Sequence, residues 1–296
     1  MIRHALVLCA GLGTRLRPLS DVRAKPAIPV AGEAMIRRIA AWLVSKGVDD
    51  LVLNLHHRPE TLTRVLGDGC DLGARVRYSW ELPRILGSAG GPRLARPIAG
   101  AGTFFIVNGD TLTDVDLVQL ADTHAASGAL VTLALVPNRE FLRYGGVRVD
   151  PQGRVTGFIR RGPAAEGSYH YIGVQMVDGR VFDAVEPGAA ASSIGGIYDA
   201  LIGSQPDRVR AVISDAAFFD VGTPADYWRT SQAFAAAEGK SFGPSILWDD
   251  VEVGPGAQLD ECIVTDGVMV PAGARHRREI LVRGDDGQTI VEPLNL

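Results

Sequence analysis

The stretch "ALVLCAGLGTRLRPLS", residues 5–20, constrains the fold more than any other. It opens on an apolar and small-residue run with none of the alternation of a half-exposed strand, so both faces of that strand must be covered. Covering both faces calls for helices on either side of a parallel sheet, and the chain supplies them. In "MIRRIAAWLVSKGV", Ile36, Ile39, Ala40, Leu43 and Val44 recur at helical spacing and Gly47 marks the stop. "DDLVLNLHH" reads as the next strand and "RPETLTRVLGDG" as a helix with Pro59 near its start.

The alternation continues. "RVRYSWE", "GTFFIVNGD" and "ALVTLALVP" read as strands, with "GGPRLARPIA" and "DLVQLADTHAASG" as helices between them. The fold class this predicts is α/β, a doubly wound, mostly parallel sheet. "YGGVRVDPQGRVTGFI" breaks the pattern and reads as a hairpin inserted above the sheet. "AFFDVGTPADYWRTSQAFAAAEG" then gives a strand, a glycine turn and a helix opened by Pro224. After Gly239 the texture changes: "VEVGPGAQLDECIVTDGVMVPAGA" spaces small apolar residues and glycine turns evenly, as a short hexapeptide-like β-helix or an ordinary meander would. The expected division is a domain over 1–239 and a small C-terminal β extension over 240–296.

Charge and cysteines narrow the function. A formal charge of −4 over 296 residues lacks the basic face that nucleic-acid binding needs. The 3 cysteines sit far apart with no zinc-ligand spacing. No segment has the apolar length of a signal core or a membrane span, so a cytoplasmic protein acting on neither membrane nor nucleic acid is expected.

The glycine loop lies at the carboxyl edge of the first strand, where doubly wound sheets bind ligands. Gly11 and Gly13 allow close backbone approach, and Thr14, Arg15 and Lys25 add a hydroxyl and two cations suited to polyphosphate. Leu16 stands where a dinucleotide fingerprint needs its third glycine, and the second strand ends in "NLHH" without the acidic residue such a site uses, which argues against an oxidoreductase. Asp110 and Asp220 each end an apolar strand before a glycine turn or loop, as carboxylates that hold Mg²⁺ against phosphate would. Cys9 reads as a small buried strand-end residue and Trp80 as a packing residue. His56 and His57, adjacent in extended chain, point to opposite faces and do not make one metal site.

Taken in order, "AGLGTRLRPLS", "KPAIPV", "ILGSAGG", "VNGD" and "FFDVGTPADYW" resemble the sugar-1-phosphate nucleotidyltransferases, over roughly residues 3–235. The resemblance implies a Rossmann-like domain in which Ala10, Gly11, Gly13 and Thr14 bind nucleotide while Arg15 and Lys25 grip the triphosphate. It implies Mg²⁺ on Asp110 and Asp220. Gly87, Ser88, Ala89 and Gly90 match the segment that packs on base and ribose, with Ser88 in place of threonine, and Glu81 stands a few residues ahead. Tyr144, Gly145 and Gly146 match the sugar loop, and Gly173 falls in a strand that lines the sugar pocket, making the hairpin a sugar-binding one. The partners implied are an NTP and a sugar 1-phosphate, with a homo-oligomer left open.

One segment departs from the pattern. Where such enzymes carry Glu-Lys-Pro after the hairpin, this chain has "FIRRGP". Arg161 can take the phosphate contact, while Arg160 reverses the expected charge and either points to solvent or receives an anionic sugar substituent. The branches most resembled are mannose-1-phosphate guanylyltransferase and N-acetylmuramate-1-phosphate uridylyltransferase, then glucose-1-phosphate thymidylyl- or uridylyltransferase. A non-catalytic nucleotide-sugar sensor is the alternative outside catalysis.

Overall fold

The computed structural model describes every residue except Met1, Ala101, Ser241, Phe242 and Asp285. The chain forms two compact units, one of Met1–Gly11, Ile39–His57 and Leu66–Phe219, the other of Leu12–Arg38, Arg58–Val65 and Asp220–Leu296. The expected junction after Gly239 falls beside undescribed residues.

In chain order the first unit's sheet comprises β1 (His4–Leu8), β2 (Asp50–Leu55), β3 (Arg75–Trp80), β4 (Thr103–Asn108), β5 (Val131–Pro137), β6 (Gly146–Val149), β7 (Val155–Ile159), β8 (Tyr169–Asp178) and β9 (Val209–Ile213). The path across it runs β9–β5–β8–β4–β1–β2–β3. Parallel pairing joins β1 to β2 and β4, β2 to β3, and β9 to β5. β8 alone runs against its neighbours β4 and β5 in this path. The sheet is therefore mixed but mostly parallel, the doubly wound α/β fold expected of its apolar strands. β2 is buried along its whole length, the two-sided coverage that its apolar residues demand.

Helices α1 (Met35–Ser45), α2 (Pro59–Leu66), α3 (Gly87–Ala99), α4 (Leu117–Ser127), α5 (Tyr198–Ser204) and α6 (Pro224–Ala237) alternate with the strands. Their starts follow local chemistry. Asp116 caps α4 by accepting from Val118 N and Gln119 N, and Thr223 caps α6 by accepting from Asp226 N. The first unit's core joins Leu6, Val52, Phe104, Ile106, Leu133 and Leu135 from the strands to Ala89 and Ala95 of α3.

One expectation needs correcting. The β6–β7 hairpin does not stand above the sheet, because Val147 pairs with Tyr169 and makes the hairpin continuous with β8. The physical reason is the length of β8, which runs on beyond its pairing with β4, so that its first residue, Tyr169, takes Val147 as well as Pro137 of β5.

In the second unit the chain after Pro244 winds as a parallel coil. Ile246 stacks on Ile263 and Ile263 on Ile280, Glu252 on Met269, and Gln258 on Arg275. Cys262, Val264, Val268, Val270 and Leu281 fill its interior. Thr289–Pro293 closes it, antiparallel to Glu279–Arg283.

Candidate active site

In the first unit, the carboxyl edge of the parallel strands is tied together by a relay of buried hydrogen bonds. Cys9 N donates to Asn54 Oδ1 at 2.7 Å, Asn54 Nδ2 to Glu81 Oε1 at 2.6 Å, and Leu86 N to Glu81 Oε2 at 2.6 Å. The relay links the ends of β1, β2 and β3 to the start of α3. Glu81 is fully buried. Its contacts make it the strut of the Gly87–Gly90 segment, and Asn54, its partner, is a residue the motifs did not single out. A Cβ on Gly91 would come within 2.2 Å of Glu81 Oε1, so glycine lets α3 close on the relay. His56 also joins this edge, its Nδ1 2.7 Å from Glu81 O.

The segment before Gly91 rests on the chain from Ala189 to Ser193. Ala89 N and Gly90 N both reach Ala191 O, at 2.9 and 3.3 Å. Gly87 has φ +77, and a Cβ there would meet Ala191 O at 2.8 Å. Ser88 Oγ accepts from Ser193 N and Ser193 Oγ, both at 2.9 Å. Trp80, expected to pack, is instead 47 % exposed; it ends β3 at the open edge.

β1 delivers Cys9, Ala10 and Gly11 to the same edge, and β4 delivers Asp110, with Gly109 N donating to Leu8 O at 2.9 Å. Ala10 is buried and Gly11 exposed. Burial first, and then the Asp110 charge, push the Cys9 thiol well above the usual thiol range. Burial also raises the Tyr171 hydroxyl, with Tyr198 and Asp110 adding to the shift.

The sugar-loop residues come together around an aromatic group. The Tyr144 ring stacks on His170 at 4.2 Å, and both lie against Phe218, at 5.7 and 5.1 Å. With Asn138, Glu140 and Asp215 they line a cleft of about 450 Å³. Sequence reading did not pick out His170 or Phe218. Gly145 packs on the strand that leads to Arg161, its Cβ position 3.1 Å from Ile159 O, and a Cβ on Gly146 would meet Ser168 Oγ at 2.2 Å. Arg160 and Arg161 are exposed. Gly173 sits at φ +79 against Asn108, whose atoms would lie 2.8–2.9 Å from a Cβ. The β8–β5 register shifts there, between Tyr171 and Gln175.

In the second unit, Gly13 turns the loop at φ +62, and its carbonyl accepts from Leu16 N at 2.8 Å and Ser20 Oγ at 2.9 Å. Leu16 is fully buried, which pins the Thr14–Leu16 turn and leaves Thr14 and Arg15 exposed. A Cβ on Gly13 would lie 3.4 Å from Lys25 Cβ. Lys25 is buried, and its Nζ lies 3.6 Å from Asp220 Oδ1. The position a Gly222 Cβ would take is 3.3 Å from Asp220 Oδ2, 3.3 Å from Asp226 Oδ2 and 3.4 Å from Arg15 Nη1. Arg15, Lys25 and Asp220 therefore gather around Gly13 and Gly222.

Asp110 and Asp220 offer the hard oxygen donors that suit Mg²⁺, an ion usually held by one or two carboxylates with water and phosphate oxygens. Among the described residues, no three His, Cys, Asp or Glu side chains cluster as metal ligands. Nor, among those residues, is any helix long and apolar enough to cross a membrane.

A doubly wound α/β sheet is a framework on which many phosphate-handling enzymes are built. The chain belongs to the nucleotidyl transferase family, whose profile matches residues 4–237. It is 28% identical over 293 residues to a mannose-1-phosphate guanylyltransferase of Mycobacterium tuberculosis, covering 91% of this chain and 81% of that protein. It is 30% identical over 236 residues to an N-acetylmuramate alpha-1-phosphate uridylyltransferase of Neisseria meningitidis, covering 79% and 98%. Among solved structures, HddC from Yersinia pseudotuberculosis superposes with a TM-score of 0.67 at 21% identity, covering 78% of this chain and 98% of that one.

Proposed function

We propose that this protein transfers a nucleoside monophosphate from an NTP to a sugar 1-phosphate, releasing pyrophosphate, with GTP and mannose 1-phosphate as the leading pair. The observation that carries the reading is the gathering of Arg15, Lys25 and Asp220 around Gly13 and Gly222. In the reaction a phosphate oxygen of the sugar phosphate attacks the α-phosphorus, and the bond to the bridging oxygen of the leaving pyrophosphate breaks. The attacking oxygen is already ionised, so no protein nucleophile or general base is needed; the chemistry demands charge neutralisation and in-line placement. Arg15 and Lys25 offset the triphosphate charge, Arg15 chiefly on the leaving pyrophosphate. Ala10, Gly11, Gly13 and Thr14 allow the backbone to approach the nucleotide. Glu81 acts by holding Gly87, Ser88 and Ala89, which support base and ribose. Tyr144, Gly146 and Gly173 shape the sugar pocket. Asp110 and Asp220 would hold Mg²⁺, which when bound supplies further positive charge to the phosphates. We take the reaction to be cytoplasmic, where NTPs are made and used.

A second reading concerns the sugar. The exposed guanidinium groups of Arg160 and Arg161, in the segment whose backbone touches Gly145, favour a sugar phosphate with an added carboxylate, as in N-acetylmuramate 1-phosphate. The deciding experiment follows pyrophosphate with Mg²⁺, each NTP and a panel of neutral and carboxylated sugar 1-phosphates. Release with GTP and mannose 1-phosphate supports the first reading. Preference for the carboxylated sugar, lost in Arg160→Glu, supports the second. Silence with every pair leaves a nucleotide-sugar sensor instead.

A further inference from the structure

Arg23 lies two residues before Lys25, and its side chain is only 12% exposed. Its guanidinium forms a two-pronged pair with Asp266, Nε to Oδ2 at 2.6 Å and Nη2 to Oδ1 at 2.5 Å, and Nη2 also reaches Asp249 Oδ2 at 2.6 Å. The Trp248 ring packs beneath it, 5.3 Å from the guanidinium carbon. All three partners belong to the C-terminal coil. On the other side of Lys25, Pro29 O accepts from Tyr227 Oη at 2.8 Å, and Tyr227 Oη accepts from Trp248 Nε1 at 2.8 Å. The same Trp248 thus supports the chain on both sides of Lys25.

A charged side chain removed from water and held by two carboxylates and an indole face fixes its backbone far more firmly than surface pairs do. The segment between its two anchors is short. Between them the chain is further held by the Lys25–Ala27 turn, closed by Ile28 N to Lys25 O at 3.2 Å, by Ala24 N donating to Thr61 Oγ1 at 3.1 Å, by Met35 N donating to Ile28 O at 3.1 Å, by the Lys25–Asp220 pair and by the burial of Ala24, Ala27 and Ile28. Within the coil Asp249 N donates to Asp266 Oδ1 at 3.2 Å, which brings the two aspartates to one corner. Their shared contact is Arg23.

We propose that the C-terminal coil is a positioning element for the phosphate grip: Asp249, Asp266 and Trp248 clamp Arg23 and thereby set the place of Lys25. Arg23 is a positioning residue, acting through Lys25 and not on substrate. The proposal rests on the nucleotidyl-transfer reading only in taking Lys25 as a triphosphate contact, so its primary test is equilibrium binding, which needs no turnover.

The test uses the full chain. Isothermal calorimetry with Mg²⁺ and the NTP preferred by the wild type gives Kd, and pyrophosphate release gives KM for each substrate. Arg23→Gln and Asp266→Asn are each expected to weaken NTP binding about tenfold, the scale of one charged hydrogen-bonded pair. KM for the sugar phosphate should move less than about twofold, and the double variant should bind NTP no more weakly than Arg23→Gln alone, because Asp266→Asn removes a contact that Arg23→Gln has already removed. Arg3→Gln, which removes the exposed pair with Asp49, should leave Kd unchanged. An NTP Kd unchanged in both Arg23 and Asp266 variants, with only the melting temperature lowered, overturns the proposal and leaves the transfer reading standing. A wild type that binds no NTP overturns both.

Discussion

Asn54 Nδ2 donates to Glu81 Oε1 at 2.6 Å, inside the protein, between residues that end neighbouring strands. Asn54 also accepts from Cys9 N and Glu81 from Leu86 N, so one amide and one carboxylate hold the glycine loop and the start of α3 in register. Asn54→Ala leaves both Cys9 N and Glu81 Oε1 short of a partner in a buried place. Unfolding in urea should show a loss of about 2 kcal/mol. Asn54→Asp, which substitutes an acceptor for the amide that faces Glu81, should be at least as costly.

Gly173 makes a sharper test of backbone geometry. Its φ of +79 and the crowding by Asn108 mean that alanine meets both strain and a clash. Gly173→Ala should lose about 2 kcal/mol or more. Gly157→Ala, in β7 with nothing within 4 Å of its Cβ position, is the control and should stay within about 0.5 kcal/mol. Equal losses at the two glycines would remove the special role of the β8 bulge.

These two sites show what sequence reading reaches. The apolar strands, the glycine loop and the helix opened by Pro224 were legible because their causes are local: burial on both faces, close backbone approach, and a ring that suits the first helical turn. Asn54 was not, since an asparagine in "LNLHH" looks like any strand-end polar residue until Glu81 is folded against it. Arg23 and Asp266 stand 243 residues apart, and no period or motif links them. His170 and Phe218 likewise gain meaning only when Tyr144 stacks on them. The chemistry-bearing types were readable, and the residues that aim them were set by long-range packing.

The Lys25–Asp220 pair predicts a catalytic asymmetry. Lys25→Ala removes a cation proposed to act on the triphosphate, and should lower pyrophosphate release about a hundredfold. Arg15→Ala should act mainly on kcat if it serves the departing pyrophosphate, with KM for the sugar phosphate nearly unchanged. Circular dichroism should show both variants folded; intact folding with undiminished release would remove these side chains from the mechanism.

Cysteine labelling tests the surroundings of Asp110. Cys9 is buried and its thiol is pushed well above the usual range, by burial first and Asp110 second. Cys70 is exposed, whereas Cys262 is buried like Cys9. In native protein at mildly alkaline pH, an aromatic disulfide reagent should therefore modify Cys70 and spare Cys9 until the protein is unfolded. Prompt labelling of Cys9 in the folded protein would contradict the burial of the strand end that lies beside Asp110.

Glu238 gives a pH dependence with a definite sign. Hydrogen bonds from Arg38, then Lys240, bring its carboxyl from 4.5 down to about 2 despite some opposing desolvation. A folded value below the unfolded one means that the unfolded chain takes up the proton first as pH falls. The contribution of Glu238 to stability is therefore complete above pH about 4.5, declines as pH drops, and is gone near pH 2. Glu238→Gln lacks this contribution at every pH. The stability gap between wild type and variant, from urea titrations at a series of pH values, should be widest at neutral pH and close towards pH 2. A gap that stays constant across that window would show that Arg38 and Lys240 do not hold the carboxylate in its charged form.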